Sequence, residues 1–309
     1  MNYIKITETG KYIPKTEINN EQIEQKLNLE KGYIEKRTGI KTRYYAKSES
    51  IEEMAIKATK DLLSKSPNAK NDIGLIIVAT TSSKNLMPGI SNLVQKKLDL
   101  KPCICLDILA GCSGYINAFE IAKMYIQTKK IEKALIIGVD KLSEFTNQED
   151  ISTAIILSDG AGASLIEKTK EEKKYFSNIE ADAKNSEILT CKSDEKIKMQ
   201  GKEIYKYAVT KTVENINKLL KDSNENIDNI KYIIPHQSNM KIIKAISTRL
   251  KIEKSKLYTN IENVGNTFCA SIPIVLDEMK QKGLLQEKDK VILLGYGGGL
   301  NTGSILIEL

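Results

Sequence analysis

The 309-residue chain has no tryptophan and a single histidine, and none of its apolar runs reaches the ~18 residues needed to cross a bilayer. A membrane-spanning helix is thereby excluded at the level of sequence. The first residues, MNYIKITETGKYIP, lack the apolar stretch of about 7 to 15 residues and the small-residue cleavage site of a secretory signal. The expectation is a soluble, unprocessed protein. Cysteine is scarce and odd in number: Cys103, Cys105, Cys112, Cys191 and Cys269 include no C-x-x-C pair, which argues against a disulfide framework and against a zinc site. A reducing cytoplasm suits such a set, and no metal is expected. Aromatic residues make up only 6%, and the net charge of +7 comes from lysines spread along the whole chain, so a solvated lysine-rich surface is expected in place of a nucleic-acid-binding patch. What the chain does have is apolar mass. At 41% hydrophobic it can bury a large core, as one large domain or two ordinary ones.

Apolar, β-branched runs at residues 72–81 (DIGLIIVATT), 103–109, 133–140 and 162–167 are separated by helix-like or polar stretches and predict buried strands. A second series at 230–236 (IKYIIPH), 256–261 (KLYTNI), 290–296 and 302–308 repeats the order of events. An internal duplication explains the repetition economically. Helices alternating with buried strands indicate α/β architecture, with two similar halves, residues 1–170 and 171–309, packed against each other. The highly charged stretch at about 168–202 is expected to connect them.

Three side chains stand where chemistry is done in such folds. Cys112, in LAGCSGY, follows a predicted strand and opens a helix, with Gly111 and Gly114 permitting a tight turn. Unpaired helix N–H groups and the positive end of the macrodipole would favour a nucleophilic thiolate there. From the local motif alone, a small buried apolar residue explains Cys112 equally well. His236, in IIPHQSN, is the only histidine and emerges at a strand end, where open α/β sheets place ligands. Asn266, in NVGNTFCASIP, lies at the strand-to-helix turn that duplication matches with the Cys112 turn; standing alone it would read as a turn former. The three glycines of LLGYGGGLNTGS are not followed by the Lys-Ser/Thr of a P-loop, so a backbone N–H aimed at a reacting carbonyl oxygen is the better reading.

With these residues in hand, the chain resembles β-ketoacyl-acyl-carrier-protein synthase III, a family of the thiolase superfamily. The resemblance rests on RTGIKTRYYA, ATTSS, the Cys112 turn, SDGAGA, PHQSN, GNT with ASIP, and GGGL, in that order along nearly the whole chain. It implies a thiolase fold, α/β, of two similar βαβαβαββ-type halves in a layered αβαβα architecture, assembled as a homodimer. It also implies a catalytic triad on Cys112, His236 and Asn266, with an oxyanion hole from the backbone N–H groups of Cys112 and Gly298. The implied reaction is a decarboxylative Claisen condensation. An acyl group passes from acyl-CoA or an acyl carrier to Cys112 and is joined to malonyl-acyl carrier protein. No cofactor is bound permanently; a CoA thioester serves as substrate. A non-decarboxylating acyl transfer to an amine, alcohol or thiol on the same fold is the alternative, and a catalytically silent carrier-binding subunit is a third.

The resemblance also assigns substrate contacts to Tyr33, Arg37, Met87, Ile151, Tyr205 and Phe268. Here the chain departs from the family pattern. Members that use acetyl-CoA commonly carry a tryptophan and an arginine where this chain has Tyr33 and Ile151, and Ile151 offers no cation to a base or phosphate. Met87 stands where short-primer enzymes often have phenylalanine and would admit a longer or branched chain. Phe268 replaces a small residue and either narrows the site or packs outward. Acyl carrier protein, the expected partner, would meet Lys202, Lys241, Lys244 and Arg249, which equally read as solvated helix faces. No nucleic acid or membrane partner is implied.

Overall fold

The computed structural model describes residues 3–128 and 131–309. Strand β1 (Tyr3–Tyr12) leads into a ribbon of β2 (Thr16–Asn19) and β3 (Thr42–Tyr45), with helices α1 (Asn20–Lys26) and α2 (Tyr33–Thr38) between its strands. Then follow α3 (Ile51–Lys65), β4 (Ile73–Ala79), α4 (Ile90–Lys97), β5 (Ile104–Ile108), α5 (Gly114–Thr128), β6 (Lys133–Asp140), the single turn α6 (Ile151–Ala154) and β7 (Gly160–Thr169). The remainder comprises β8 (Tyr175–Ala181), a short ribbon of β9 (Leu189–Thr190) and β10 (Lys198–Met199), α7 (Gly201–Ser223), β11 (Tyr232–Pro235), α8 (Met240–Leu250), α9 (Ile261–Val264), α10 (Ser271–Gln281), β12 (Lys290–Gly297) and β13 (Asn301–Glu308).

The two large sheets make the duplication visible. The first runs β1-β7-β6-β4-β5 and the second β8-β13-β12-β11, so the orders superimpose strand for strand except at the last position. There the expected strand at 256–261 is absent: Leu257 makes a lone parallel bridge to Ile233 beside β11, and the chain then turns into α9. The run KLYTNI contains only two large aliphatic residues, too few to bury a full strand on both faces. A second correction concerns the supposed connector. Residues Tyr175–Ala181 form β8, antiparallel to β13, in the position that β1 occupies beside β7. Because only Asn178 of this strand is fully buried, its sequence carries little apolar signal.

Side chains alternate across the central strands, as their pleat requires. Leu75, Ile77 and Ala79 of β4 face inward onto Tyr115, Ile116 and Phe119 of α5, while Ile76 and Val78 face outward under α3 and α4. The same inner layer takes Ile272, Val275 and Met279 of α10 and is closed by Leu293 and Ile305 of the second sheet. A third cluster packs α7 and α8 on that sheet's outer face. The result is the αβαβα layering, with α5 and α10 as the two buried central helices. Both nucleate from turns that face each other at the sheet ends, and those turns carry the candidate site.

Candidate active site

Cys112 is the middle residue of a one-turn 3-10 segment, Gly111–Ser113, that runs directly into α5. The elbow is tight for two backbone reasons. Gly111 has φ +58, and a Cβ there would lie 2.3 Å from the carbonyl oxygen of Gly298. Gly297 approaches from the other side, where a Cβ would come within 2.8 Å of the Cys112 backbone nitrogen. Only glycine tolerates both constraints. The glycine-rich turn after β12 is thus pressed onto the nucleophile elbow, with Gly298 against it.

The helix start does not make Cys112 a resting thiolate. Cys112 is 4% exposed, and burial pushes its thiol well up from the usual range, helped by the nearby Asp140 carboxylate. The backbone N–H groups of Gly298 and of Cys112 itself pull the other way but are outweighed. Desolvation wins because among the described residues no cation stands close enough to repay it. Alkylation of Cys112 by iodoacetamide is therefore expected to accelerate with pH through about pH 9 without levelling off. A plateau below about pH 8 would contradict the protonated resting state.

His236 follows the end of β11, its N–H bonded to the Leu294 carbonyl at 2.7 Å. The ring is buried, and burial lowers its pKa to about 3, so it is neutral at physiological pH. Nδ1 lies 2.7 Å from the hydroxyl of Ser271, the first residue of α10. With Ser271 donating to Nδ1, the proton sits on Nε2, and the imidazole becomes a fixed neutral donor. Tyr296 packs edge-on against the ring at 5.3 Å, and its hydroxyl is bonded to Ser238 at 2.7 Å.

Asn266 begins the turn that precedes α10. Its backbone N–H bonds Ile156, and its Oδ1 accepts the Phe268 N–H at 3.0 Å. Among the described residues its amide Nδ2 makes no hydrogen bond, so two donors remain available. The next residue but one, Phe268, has φ +45, a left-handed conformation that bulky residues seldom adopt. Its ring is 6% exposed and belongs to the apolar cluster that also holds Cys112, Leu142, Phe145 and Ile197. The ring is turned toward Cys112 and away from solvent.

A cavity of about 480 Å³ opens onto Cys112, with Gly298, Phe145, Leu189 and Phe268 in its wall. The segment that contributes Leu189 also brings Cys191 to the cavity, a residue to which sequence reasoning gave no role. Ser271 and Asp140 were likewise passed over, although an aspartate ending the otherwise apolar LIIGVD was a usable signal.

The remaining assigned residues are spread over the surface around this site. Met87 is 85% exposed and does not line the cavity, whereas its neighbour Leu86 does. Tyr33 is half-buried and Arg37 exposed, one turn apart on α2. Ile151 is 38% exposed at the start of α6, and Tyr205 is 40% exposed in the first turns of α7. Lys202, Lys241, Lys244 and Arg249 are all exposed on α7 and α8. Among the described residues none of these four has a carboxylate partner; Arg249 reaches only the Thr210 hydroxyl.

Comparison with known proteins settles the family. The model for the 3-oxoacyl-[acyl-carrier-protein] synthase III C terminal matches residues 220–309, and the 3-oxoacyl-[acyl-carrier-protein] synthase III model matches residues 106–185. The β-ketoacyl-[acyl-carrier-protein] synthase III of Clostridium novyi is 36% identical over 99% of this chain and 98% of its own length. The chain belongs to the β-ketoacyl-acyl-carrier-protein synthase III family. Among solved structures, the synthase III of Aquifex aeolicus superimposes with a TM-score of 0.96 at 35% identity, covering 99% of this chain and 100% of that one. The Thermus thermophilus synthase III gives 0.94 at 30% identity, with 98% of each chain covered. Synthase III homologues are enzymes, and the thiolase fold expected from sequence is the fold found. Among the described residues no helix is long and apolar enough to span a membrane, and no group of three potential ligands stands ready for a metal.

Proposed function

We propose that the protein is a condensing acyltransferase that loads an acyl group onto Cys112 and joins it to malonyl-acyl carrier protein with loss of carbon dioxide. What supports this reading is a buried thiol elbow at Cys112 together with two neutral groups able to donate, the His236 ring, whose Nδ1 is bonded to Ser271, and the Asn266 amide, whose Nδ2 is free among the described residues. In the first half-reaction the Cys112 sulfur bonds to the acyl carbon and the donor's C–S bond breaks. The N–H groups of Cys112 and Gly298 receive the developing oxyanion, a contribution of about 10² to 10³ in rate per donor. The proton lost by Cys112 ends on the departing thiol, so a resting thiol is no obstacle. In the second, the malonyl C–C bond breaks, and His236 and Asn266 hydrogen-bond the enolate oxygen that forms. A cationic histidine is not required for this, and burial keeps His236 from becoming one. The carbanion then attacks the acyl carbonyl and releases Cys112.

The reaction places the enzyme at chain initiation in fatty-acid synthesis or in a related specialised pathway. Acyl carrier protein would dock on the unpaired cations Lys202, Lys241, Lys244 and Arg249 of the α7–α8 layer. With Ile151 in place of a cation, CoA loses half of its clamp, and a carrier-borne acyl donor becomes competitive; Tyr33, Arg37 and Tyr205 remain to meet either carrier. Phe268 shortens or bends the acyl channel beside Cys112. A panel of acyl-CoA and acyl-carrier donors, read by intact-protein mass spectrometry, tests the loading step. A single-acyl adduct is expected with at least one donor, and absence of an adduct with every donor overturns the reading.

The open edge of the first sheet supports assembly as a homodimer. Among the described residues strand β5 has no neighbouring strand on its outer side, and Leu86, Met87 and Leu109 nearby are 95%, 85% and 80% exposed. An open edge flanked by large apolar side chains is covered in a stable soluble protein, and a second copy covers it with its own like edge. Met87 would then gate the neighbouring copy's cavity, which reconciles its exposure with a role in chain selection. Sedimentation should give twice the chain mass, and Leu109→Asp should shift it toward the monomer; a monomer in the unsubstituted protein would refute the assembly. The five unpaired thiols suit a reducing compartment such as the cytoplasm.

A further inference from the structure

The duplicated halves place a second cysteine where the first half has its nucleophile. Cys269 is the middle residue of the one-turn 3-10 segment Phe268–Ala270 that runs into α10, as Cys112 is of Gly111–Ser113 before α5. The residue before each cysteine is left-handed, Gly111 at φ +58 and Phe268 at φ +45. The strand facing each turn corresponds too: β12 ends at Gly297 beside Cys112, and β6 ends at Asp140 beside Cys269. The unusual backbone of Phe268 thus matches that of Gly111 at the nucleophile elbow.

What differs is the occupant of the space in front. At Cys112 the facing turn is glycine, and the cavity is open. At Cys269 the space is filled by the Asp140 carboxylate, whose Oδ2 accepts the Cys269 N–H at 2.9 Å. Its Oδ1 accepts the Thr81 N–H at 2.7 Å and the hydroxyls of Thr80, Thr81 and Ser82 at 3.1, 2.9 and 2.8 Å. Burial pushes the Asp140 carboxyl up from its usual range, and these donors, with one fixed backbone N–H on each oxygen, pull it back toward the anion. Cys269 Sγ in turn donates to the Gly111 carbonyl at 3.1 Å, one residue before the nucleophile. Asp140 and Cys269 are both fully buried, and neither lines the substrate cavity.

We propose that Asp140 and Cys269 are positioning residues that fix the Asn266 turn against the Cys112 elbow, so that the second elbow of the duplication serves as a brace. The chain of contacts is continuous. From Asp140 it passes to the Cys269 N–H and holds Phe268 in its left-handed conformation, whose N–H in turn orients Asn266 through Oδ1. Through Cys269 Sγ it reaches Gly111 and so the placement of Cys112. Neither residue touches the reacting atoms.

The inference rests on the decarboxylating reading above, in which Asn266 serves the second half-reaction only. Its test compares Asp140→Asn, Cys269→Ala and Cys269→Ser with the unsubstituted full-length enzyme, measuring acyl-Cys112 formation, carbon dioxide release from malonyl-acyl carrier protein, and iodoacetamide alkylation of Cys112. Asp140→Asn keeps the size but must set its NH2 against one of the two backbone N–H groups, that of Cys269 or that of Thr81. It should slow carbon dioxide release about tenfold or more beyond any effect on acylation, because small misplacements of an oriented group are costly. With a buried anion removed, Cys112 should also be alkylated about threefold faster or more at pH 8. Cys269→Ala should slow acylation, and Cys269→Ser, which keeps a donor for Gly111, should restore it. Parallel loss of both half-reactions in Asp140→Asn with slower or unchanged alkylation would overturn the proposal, as would equal rates in the alanine and serine variants. If Asp140→Asn fails to fold, the two Cys269 variants decide it. If the unsubstituted enzyme itself releases no carbon dioxide, the decarboxylating reading is what fails, whereas the Cys269 comparison on acylation still reads the brace.

Discussion

Cys112→Ala is expected to eliminate the acyl adduct from intact-protein mass spectra and to lower condensation by about 10⁴-fold or more. The size follows from the site's economy. With the sulfur gone, no other buried thiol opens onto the cavity beside Gly298: Cys269 faces the Gly111 carbonyl and Asp140, and Cys191 is exposed at the far wall. The fold should survive, because Ala fits within the space of Cys and the elbow's backbone depends on Gly111 and Gly297. A residual adduct of the same mass in Cys112→Ala would move the nucleophile elsewhere, with Cys191 the first residue to examine.

His236→Ala is expected to separate the two half-reactions. Carbon dioxide release should fall by about 10³-fold or more, since a preorganised donor and the ring that shapes the enolate site are both lost. Acyl transfer to Cys112 should remain in part, because its oxyanion donors are backbone groups on the elbow and the Gly298 turn. Ser271→Ala offers a gentler version: removing the hydroxyl that sets the ring tautomer should cost about tenfold in release and little in acylation. Burial also has a signature in pH. A histidine held to about 3 in the folded state and near its ordinary value when unfolded binds more protons unfolded between those limits. Its contribution to stability is therefore full above about pH 6.5 and is lost as pH falls toward 3, at up to about 1.4 kcal/mol per unit. Equal loss of both half-reactions in His236→Ala would contradict the roles given to the ring.

Much of the fold was legible before any coordinates. The runs that became β4, β6, β12 and β13 are buried on both faces, so continuous aliphatic sequence marked them, while Cys112, His236 and Asn266 follow the less buried β5, the short β11 and the single turn α9. Pattern failed where burial is one-sided or minimal. Strand β8 buries only one of its residues outright, and the segment at 256–261 keeps a single bridge where the first half has β5. The electrostatics failed for a different reason. A helix start favours a thiolate only when water or a cation supports the charge, and the degree of burial of Cys112 cannot be read from LAGCSGY. Asp140 lay hidden because a carboxylate at a strand end ordinarily faces solvent. Its five donors come from the 80–82 loop and from a turn 129 positions away in sequence.

The central claim is that carbon–carbon bond formation consumes the acyl group on Cys112 as carbon dioxide leaves. The enzyme should first be loaded with whichever donor gives the adduct, freed of excess donor, and mixed with malonyl-acyl carrier protein. Adduct mass and released carbon dioxide are then followed in the same single-turnover time course. The account predicts that both change at one rate and in equal amounts, with a β-ketoacyl carrier as product. Discharge of the adduct without carbon dioxide, to water or to another acceptor, would contradict it.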